Sequence, residues 1–156
     1  MTTLRLVSPV PGLVRALADV PDPVFAEEMV GPGVAVEPDA VARMDVVAPC
    51  DGVVGSLHPH AVALELGDER AVLVHVGIDT VGLAGAGFTL HVARGQHVRT
   101  GDRMLTWSPV DVAAAGLATV CPLVVLQGDP ATLTRLVEDG ARVEAGAPLL
   151  DWTPAG

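Results

Sequence analysis

Apolar positions along this chain come in short runs, many of them valine-rich, and each run is soon cut off by glycine, proline or aspartate. LRLV, GVAVE, MDVVAP, DGVVGSL, AVALEL, AVLVHV, RMLTW, CPLVVLQ and PLLDW each read as a short strand, because β-branched side chains fit a pleated surface and Gly, Pro and Asp close it. So many short strands predict an all-β chain, an antiparallel β-sandwich or barrel-sandwich. No segment sustains a long helical period, and one or two short helices suffice. Ser108-Pro109 supplies a cap and a first-turn proline for a helix over 110–115, with Gly116 closing it. Asp129-Pro130 does the same for 131–139 before Gly140.

The pattern repeats. GQHVRTGDRMLTW (95–107) matches GARVEAGAPLLDW (140–152) at both glycines, the valine, the leucine and the tryptophan, and SPVPGLV (8–14) echoes APCDGVV (48–54). A duplicated β motif inside one domain follows, since no linker or change of composition divides residues 1–156. Residues 1–6 read as a short tail.

Histidine interrupts the pattern where it matters most. In HPHAVALELGDERAVLVHVG (58–77), residues Gly67, Asp68, Glu69 and Arg70 read as a hairpin loop. Symmetric closure there places His75 opposite Val62. His60, two residues from Val62, then shares the face of His75, with α-carbons about 7–8 Å apart across the strands. Asp79 follows in the loop after His75, whereas His91 and His97 fall in polar, turn-like sequence and read as surface residues.

Composition narrows what the histidines can do. Nineteen acidic residues stand against nine basic ones, a net charge of -10, and every basic residue is arginine. Such a surface repels phosphate backbones and excludes nucleic acid as a partner. The missing lysine excludes a Walker A loop, a Schiff base and any biotinyl or lipoyl carrier. Cys50 and Cys121 have no metal or disulfide spacing and read as buried thiols. No apolar stretch is long enough to span a bilayer, and MTTLRLVSPVPG, with one arginine and no apolar h-region, does not read as a signal peptide, so a cytoplasmic protein without membrane insertion is expected.

A neutral imidazole with a reference pKa near ~6.5 attacks phosphorus through one nitrogen while the other is held by a hydrogen bond. A second imidazole can donate to the phosphoryl oxygens. His75 is thus the candidate acceptor and His60 its assistant. The same residues admit a rival: His58, His60, His75 and Asp79 resemble the zinc ligand set of M23 endopeptidases, in reversed order along the chain.

DVPDPVFAEEMVGPGVAVEP (19–38), APCDGVV (48–54), HPHAVAL (58–64), LVHVGIDTVGLAGAGF (73–88) and CPLVVL (121–126) resemble the glucose-type enzyme IIA domain of the bacterial phosphoenolpyruvate-dependent sugar phosphotransferase system. The resemblance implies an antiparallel β-sandwich and a phosphocarrier that needs no metal or organic cofactor. His75 would accept a phosphoryl group from the carrier protein HPr and pass it to a cysteine on the IIB domain of a membrane IIBC permease, with His60 assisting. Asp22 and Asp79 match acidic positions beside the site. Val24, Phe25, Met29, Val30 and Leu73 match the apolar rim on which partners dock. A second reading keeps the fold and docking face but makes phosphorylation a regulatory switch toward other protein targets. The sugar belongs to the permease; glucose and N-acetylglucosamine are the expected ones.

Overall fold

The computed structural model describes residues 2–154; Met1, part of the expected tail, and residues 155–156 lie outside the described residues. All nine apolar runs form strands, and five further strands join them among the described residues. In chain order they are β1 (Leu4–Val7), β2 (Gly12–Arg15), β3 (Gly33–Pro38), β4 (Met44–Val47), β5 (Gly52–His58), β6 (Ala61–Gly67), β7 (Arg70–His75), β8 (Thr89–Leu90), β9 (His97–Val98), β10 (Arg103–Trp107), β11 (Cys121–Val125), β12 (Leu133–Arg135), β13 (Arg142–Val143) and β14 (Pro148–Trp152). An eight-stranded sheet runs β13-β2-β3-β11-β7-β6-β5-β9, and two three-stranded sheets run β1-β14-β12 and β4-β10-β8. Every pairing is antiparallel.

The duplicated sequence is a duplicated structure. Gly95 and Gly140 hold φ of 83° and 84° and donate to the carbonyls of Val54 and Val14, at 2.7 and 2.8 Å. Ala48 N donates to Asp102 O at 2.8 Å and Ser8 N to Ala147 O at 2.7 Å. The two units also exchange bonds reciprocally: Val7 N donates to Pro49 O and Val47 N to Pro9 O, both at 2.9 Å. That reciprocity is the mark of an internal pseudo-twofold.

Of three further expectations from the sequence, two fail and one is met. Leu4, Arg5 and Leu6, assigned above to a tail, belong to β1, where Leu6 pairs with Leu150 and is fully buried. The expected helix over 110–115 is α2 (Pro109–Ala114), preceded in the chain by the four-residue α1 (Pro23–Ala26). In α2 the Ser108 hydroxyl accepts from Asp111 N. The helix expected over 131–139 does not form. Asp129 caps only one 3₁₀ turn, Pro130–Thr132, and the chain then extends into β12, with Leu133 opposite Trp152. Thr132 and Thr134 favour extended backbone, and the free edge of β14 offers hydrogen bonds that a helix would forgo.

Alternation along β7 buries Val72 and Val74 and turns Leu73 and His75 to the other face of the sheet. The main core, filled by Leu6, Val46, Leu105 and Leu150 of the small sheets against Val62 and Val74, lies on the valine side. Each such buried side chain contributes about 1.5–3 kcal/mol. On the opposite face a smaller cluster forms, where Leu17, Val20 and Phe25 cover Ala35, Ile78, Val120 and Val124. β11 runs between the two clusters and is buried on both faces, which is why its sequence is apolar without alternation. Cys50 and Cys121 are free and buried, and burial pushes both thiols up to about 12.

Candidate functional site

His75 ends β7 at the margin of the smaller cluster, partly buried. The hairpin that delivers it closes through Asp68 and Glu69, both with positive φ (50° and 61°), the left-handed pair of a two-residue turn. Register shifts between Glu65 and Gly67, so His75 faces Ala61 and not Val62. The symmetric closure expected from sequence is therefore off by one residue, and the diagonal argument for His60 fails with it. The small Ala61 opposite leaves room for the imidazole.

His60 reaches His75 by another route. His58 pairs with Ala61, and Pro59-His60 is the two-residue turn joining β5 to β6. Proline fixes the first turn residue. Val76 N donates to His60 O at 2.7 Å, tying the turn to the residue after His75. The His60 and His75 rings lie edge to face, centroids 5.3 Å apart at 72°. Phe25 packs on His75 at 5.0 Å, and the His58 ring lies 5.7 Å from that of His60.

One hydrogen bond decides the chemistry. His75 Nδ1 sits 2.6 Å from Gly77 O. A carbonyl only accepts, so Nδ1 carries the proton and Nε2 keeps its lone pair. Burial pushes the imidazole below its ordinary value, against the raising influence of the Gly77 carbonyl, Asp22 and Asp79, and this favours the neutral nucleophile near pH 7. His60 is also lowered, first by burial and then by His75 and His58.

The sequence after His75 builds that carbonyl. Gly77 has φ 72°, and a Cβ there would lie 2.7 Å from Thr80 Cγ2 and 3.1 Å from Ala118 O. Thr80, 1% exposed, donates its hydroxyl to Val76 O at 2.7 Å, while Ile78 N donates to Ala118 O at 2.9 Å. Sequence reasoning missed Gly77, Thr80 and the Ala118 carbonyl. The glycine and the hydroxyl three residues on were the available signal for the first two; a backbone carbonyl leaves none.

Asp22 caps α1, its carboxylate accepting from Val24 N at 2.9 Å. Asp79 is exposed with φ 61° and its side chain makes no capping bond. Of the expected rim, Val24 (39%) and Met29 (68%) are exposed, while Val30 and Leu73 pack partly buried against the smaller cluster. Phe25 is 5% exposed; it walls His75 from within and presents no rim surface, because burying its ring anchors the covering segment. Val81, 68% exposed in the 3₁₀ turn after Asp79, is a further exposed apolar residue. His91, read as a surface residue, is partly buried and bonds through Nε2 to Thr106 Oγ1 at 2.7 Å. His97 is exposed in β9.

Among the described residues no group of three or more His, Cys, Asp or Glu is arranged to hold a metal ion. The zinc set His58, His60, His75 and Asp79 therefore does not assemble. His75 Nδ1 is already engaged by Gly77, and His60 lies in the turn and not on a strand face beside His58. No helix among the described residues is long and apolar enough to cross a membrane.

Comparison with known proteins places these features. Residues 4–131 match the family described as phosphoenolpyruvate-dependent sugar phosphotransferase system, EIIA 1. A PTS system glucose-specific EIIA component of Oceanobacillus iheyensis is 36% identical over 128 residues, 81% of this chain and 76% of the relative. A mannose-specific EIIBCA component of Corynebacterium glutamicum is 43% identical over 122 residues, 77% of this chain but only 17% of that longer protein. Among solved structures, glucose permease IIA from Mycoplasma capricolum superposes with a TM-score of 0.85 at 28% identity, covering 97% of this chain and 96% of that one.

Proposed function

Because the chain belongs to the EIIA 1 family of the phosphoenolpyruvate-dependent sugar phosphotransferase system, we propose that His75 accepts a phosphoryl group from phospho-HPr and passes it to a cysteine on the IIB domain of a sugar permease. The observation that carries this reading is the Nδ1–H donated to Gly77 O, which leaves Nε2 free to attack. As the Nε2–P bond forms, the donor's N–P bond breaks and its electron pair returns to the donor imidazole. The Nδ1 proton stays in place, so positive charge grows on the His75 ring, and the Gly77 carbonyl, Asp22 and Asp79 stabilise it. On transfer onward the Nε2–P pair returns to nitrogen and a thiolate sulfur takes the phosphorus.

His60, 5.3 Å away, donates to the phosphoryl oxygens during both transfers, needing only a neutral N–H to do so. Val24, Met29 and Val81 offer an exposed apolar surface beside acidic Asp79, and charge of that sign favours encounter with a basic partner. Fusion of EIIA to IIB and IIC segments in the corynebacterial relative supports a IIB domain as recipient.

Incubation with phosphoenolpyruvate, enzyme I and HPr, read by intact mass, tests the reading. A gain of one phosphoryl group, its passage to a IIB domain, and no gain in His75→Ala are expected. A gain that persists in His75→Ala overturns the assignment of the acceptor, and a gain that never passes on replaces the carrier by a switch.

A further inference from the structure

Three successive peptide groups follow His75, and each is held from outside. Val76 N, in the first, donates to His60 O at 2.7 Å. Val76 O, in the second, accepts the Thr80 hydroxyl at 2.7 Å. The third carries both Gly77 O, 2.6 Å from His75 Nδ1, and Ile78 N, which donates to Ala118 O at 2.9 Å. One short run of backbone thus ties the two imidazoles of the relay together, and Thr80 holds its middle.

The middle is where the run is softest. It meets the third peptide at Gly77, with φ 72°, and glycine adopts either sign of φ about as readily. The far end of the second peptide, Gly77 N–H, bonds to the sulfur of Cys121, a weak acceptor. Val76 and Thr80 are both buried, so water does not replace the hydroxyl, and a carbonyl left bare there is unfavourable. Rotation of that peptide relieves it and swings Gly77 O off His75 Nδ1. A neutral ring released in this way also carries its proton on Nε2, and a protonated Nε2 has no lone pair for phosphorus.

Thr80 opens the 3₁₀ turn Thr80–Leu83 and lies between exposed Asp79 and exposed Val81. Its two branches act separately. The hydroxyl holds Val76 O, while the methyl Cγ2 packs toward Gly77, 2.7 Å from where a Cβ would stand.

We propose that Thr80 is a positioning residue for phosphoryl transfer: its hydroxyl fixes the peptide before Gly77, keeps the Gly77 carbonyl on Nδ1 of His75 and so reserves Nε2 for the attack. This rests on His75 being the acceptor. No bond is added to the transfer, and Thr80 keeps its proton on Val76 O throughout.

Phospho-HPr at a range of concentrations gives the maximal transfer rate and the half-saturating concentration for the full chain, and ring nitrogen shifts give the His75 tautomer. Thr80→Val keeps the shape and loses the hydroxyl. It is expected to transfer about tenfold more slowly at saturation, with half-saturation within about twofold of wild type. Its His75 ring divides the proton between Nδ1 and Nε2, where the wild type shows Nδ1–H. Thr80→Ser, which restores the hydroxyl without the methyl, returns the rate to within about twofold of wild type and the proton to Nδ1. Thr80→Ala is read in the same way as the valine variant if that one does not fold. A wild-type rate and tautomer without the hydroxyl overturn the proposal and leave the acceptor reading standing. So does a serine variant as slow as the valine one, or a loss confined to half-saturation, which would assign Thr80 to docking through Asp79 and Val81. If His75 never fills in the wild type, the acceptor reading falls and the transfer role with it, whatever tautomer the ring shows.

Discussion

The two halves of the pseudo-twofold share a backbone and differ in where they lead. Gly12 of β2 faces Val143 and Gly52 of β5 faces Val98, each beside the matching glycine-hinged turn. Beyond that point the likeness ends. β2 stops at Arg15, and the chain turns into the segment carrying Asp22, Phe25 and Met29. β5 runs three residues longer and ends in the His58-Pro59-His60 turn. The two departures meet at His75, Phe25 from one and His60 from the other, both near 5 Å. The repeated part is scaffold, kept because its hydrogen bonds close a core; the chemistry is confined to what each half adds.

If the halves share a fold but not their packing, equivalent glycines must respond unequally. A Cβ on Gly12 would lie 1.9 Å from Glu37 O and 2.8 Å from Glu37 C and Pro38 Cα, all backbone of β3. A Cβ on Gly52 would lie 3.1 Å from Glu65 O and 3.2 Å from the Leu64 and Leu66 side chains, a clash relieved by a shift of a few tenths of an ångström. Denaturant unfolding is expected to show Gly12→Ala losing about 3 kcal/mol or more and Gly52→Ala about 1 kcal/mol. Equal losses would mean that the β2–β3 approach is not the tight one.

The next largest effect lies in the addition made by β5. His60→Gln is expected to accept a phosphoryl group but to pass it on about a hundredfold more slowly, roughly 2.7 kcal/mol of transition-state stabilisation. Its unfolding free energy should stay within about 0.5 kcal/mol of wild type. Transfer to a IIB domain at the wild-type rate would remove His60 from the mechanism.

How much of this was legible in the sequence follows the same division. Valine-rich runs punctuated by glycine announced nine strands, because burial on a pleated sheet is a local demand. The repeat announced the twofold through the same glycines that hold positive φ. Five strands were missed: β2, four residues long, and the shorter β8, β9, β12 and β13, whose two or three residues carry no period and take their structure from a neighbour's free edge. At the site, His75 and His60 could be named, but the reason given for their meeting was wrong. A single shift between Glu65 and Gly67 is decided by packing on both faces, and no pattern in the hairpin encodes it. Phe25 was placed on the rim for lack of any signal of depth, which the fold of residues 16–30 alone supplies.

The smallest expected effect probes the part of the duplication that should be most equal. Gly95 and Gly140 hold φ of 83° and 84°, and no atom lies within 4 Å of a Cβ built on either. Alanine at these positions meets no clash, so the only cost is the left-handed backbone, about 1 kcal/mol for a residue with a Cβ. Because the hydrogen bonds to Val54 and Val14 are also alike, 2.7 and 2.8 Å, Gly95→Ala and Gly140→Ala should destabilise by the same amount within about 0.5 kcal/mol. Asparagine, which tolerates this conformation better, should recover part of the loss at both. A marked inequality in denaturant unfolding would show that one turn is strained by its surroundings, and the twofold would then be a likeness of path without a likeness of energy.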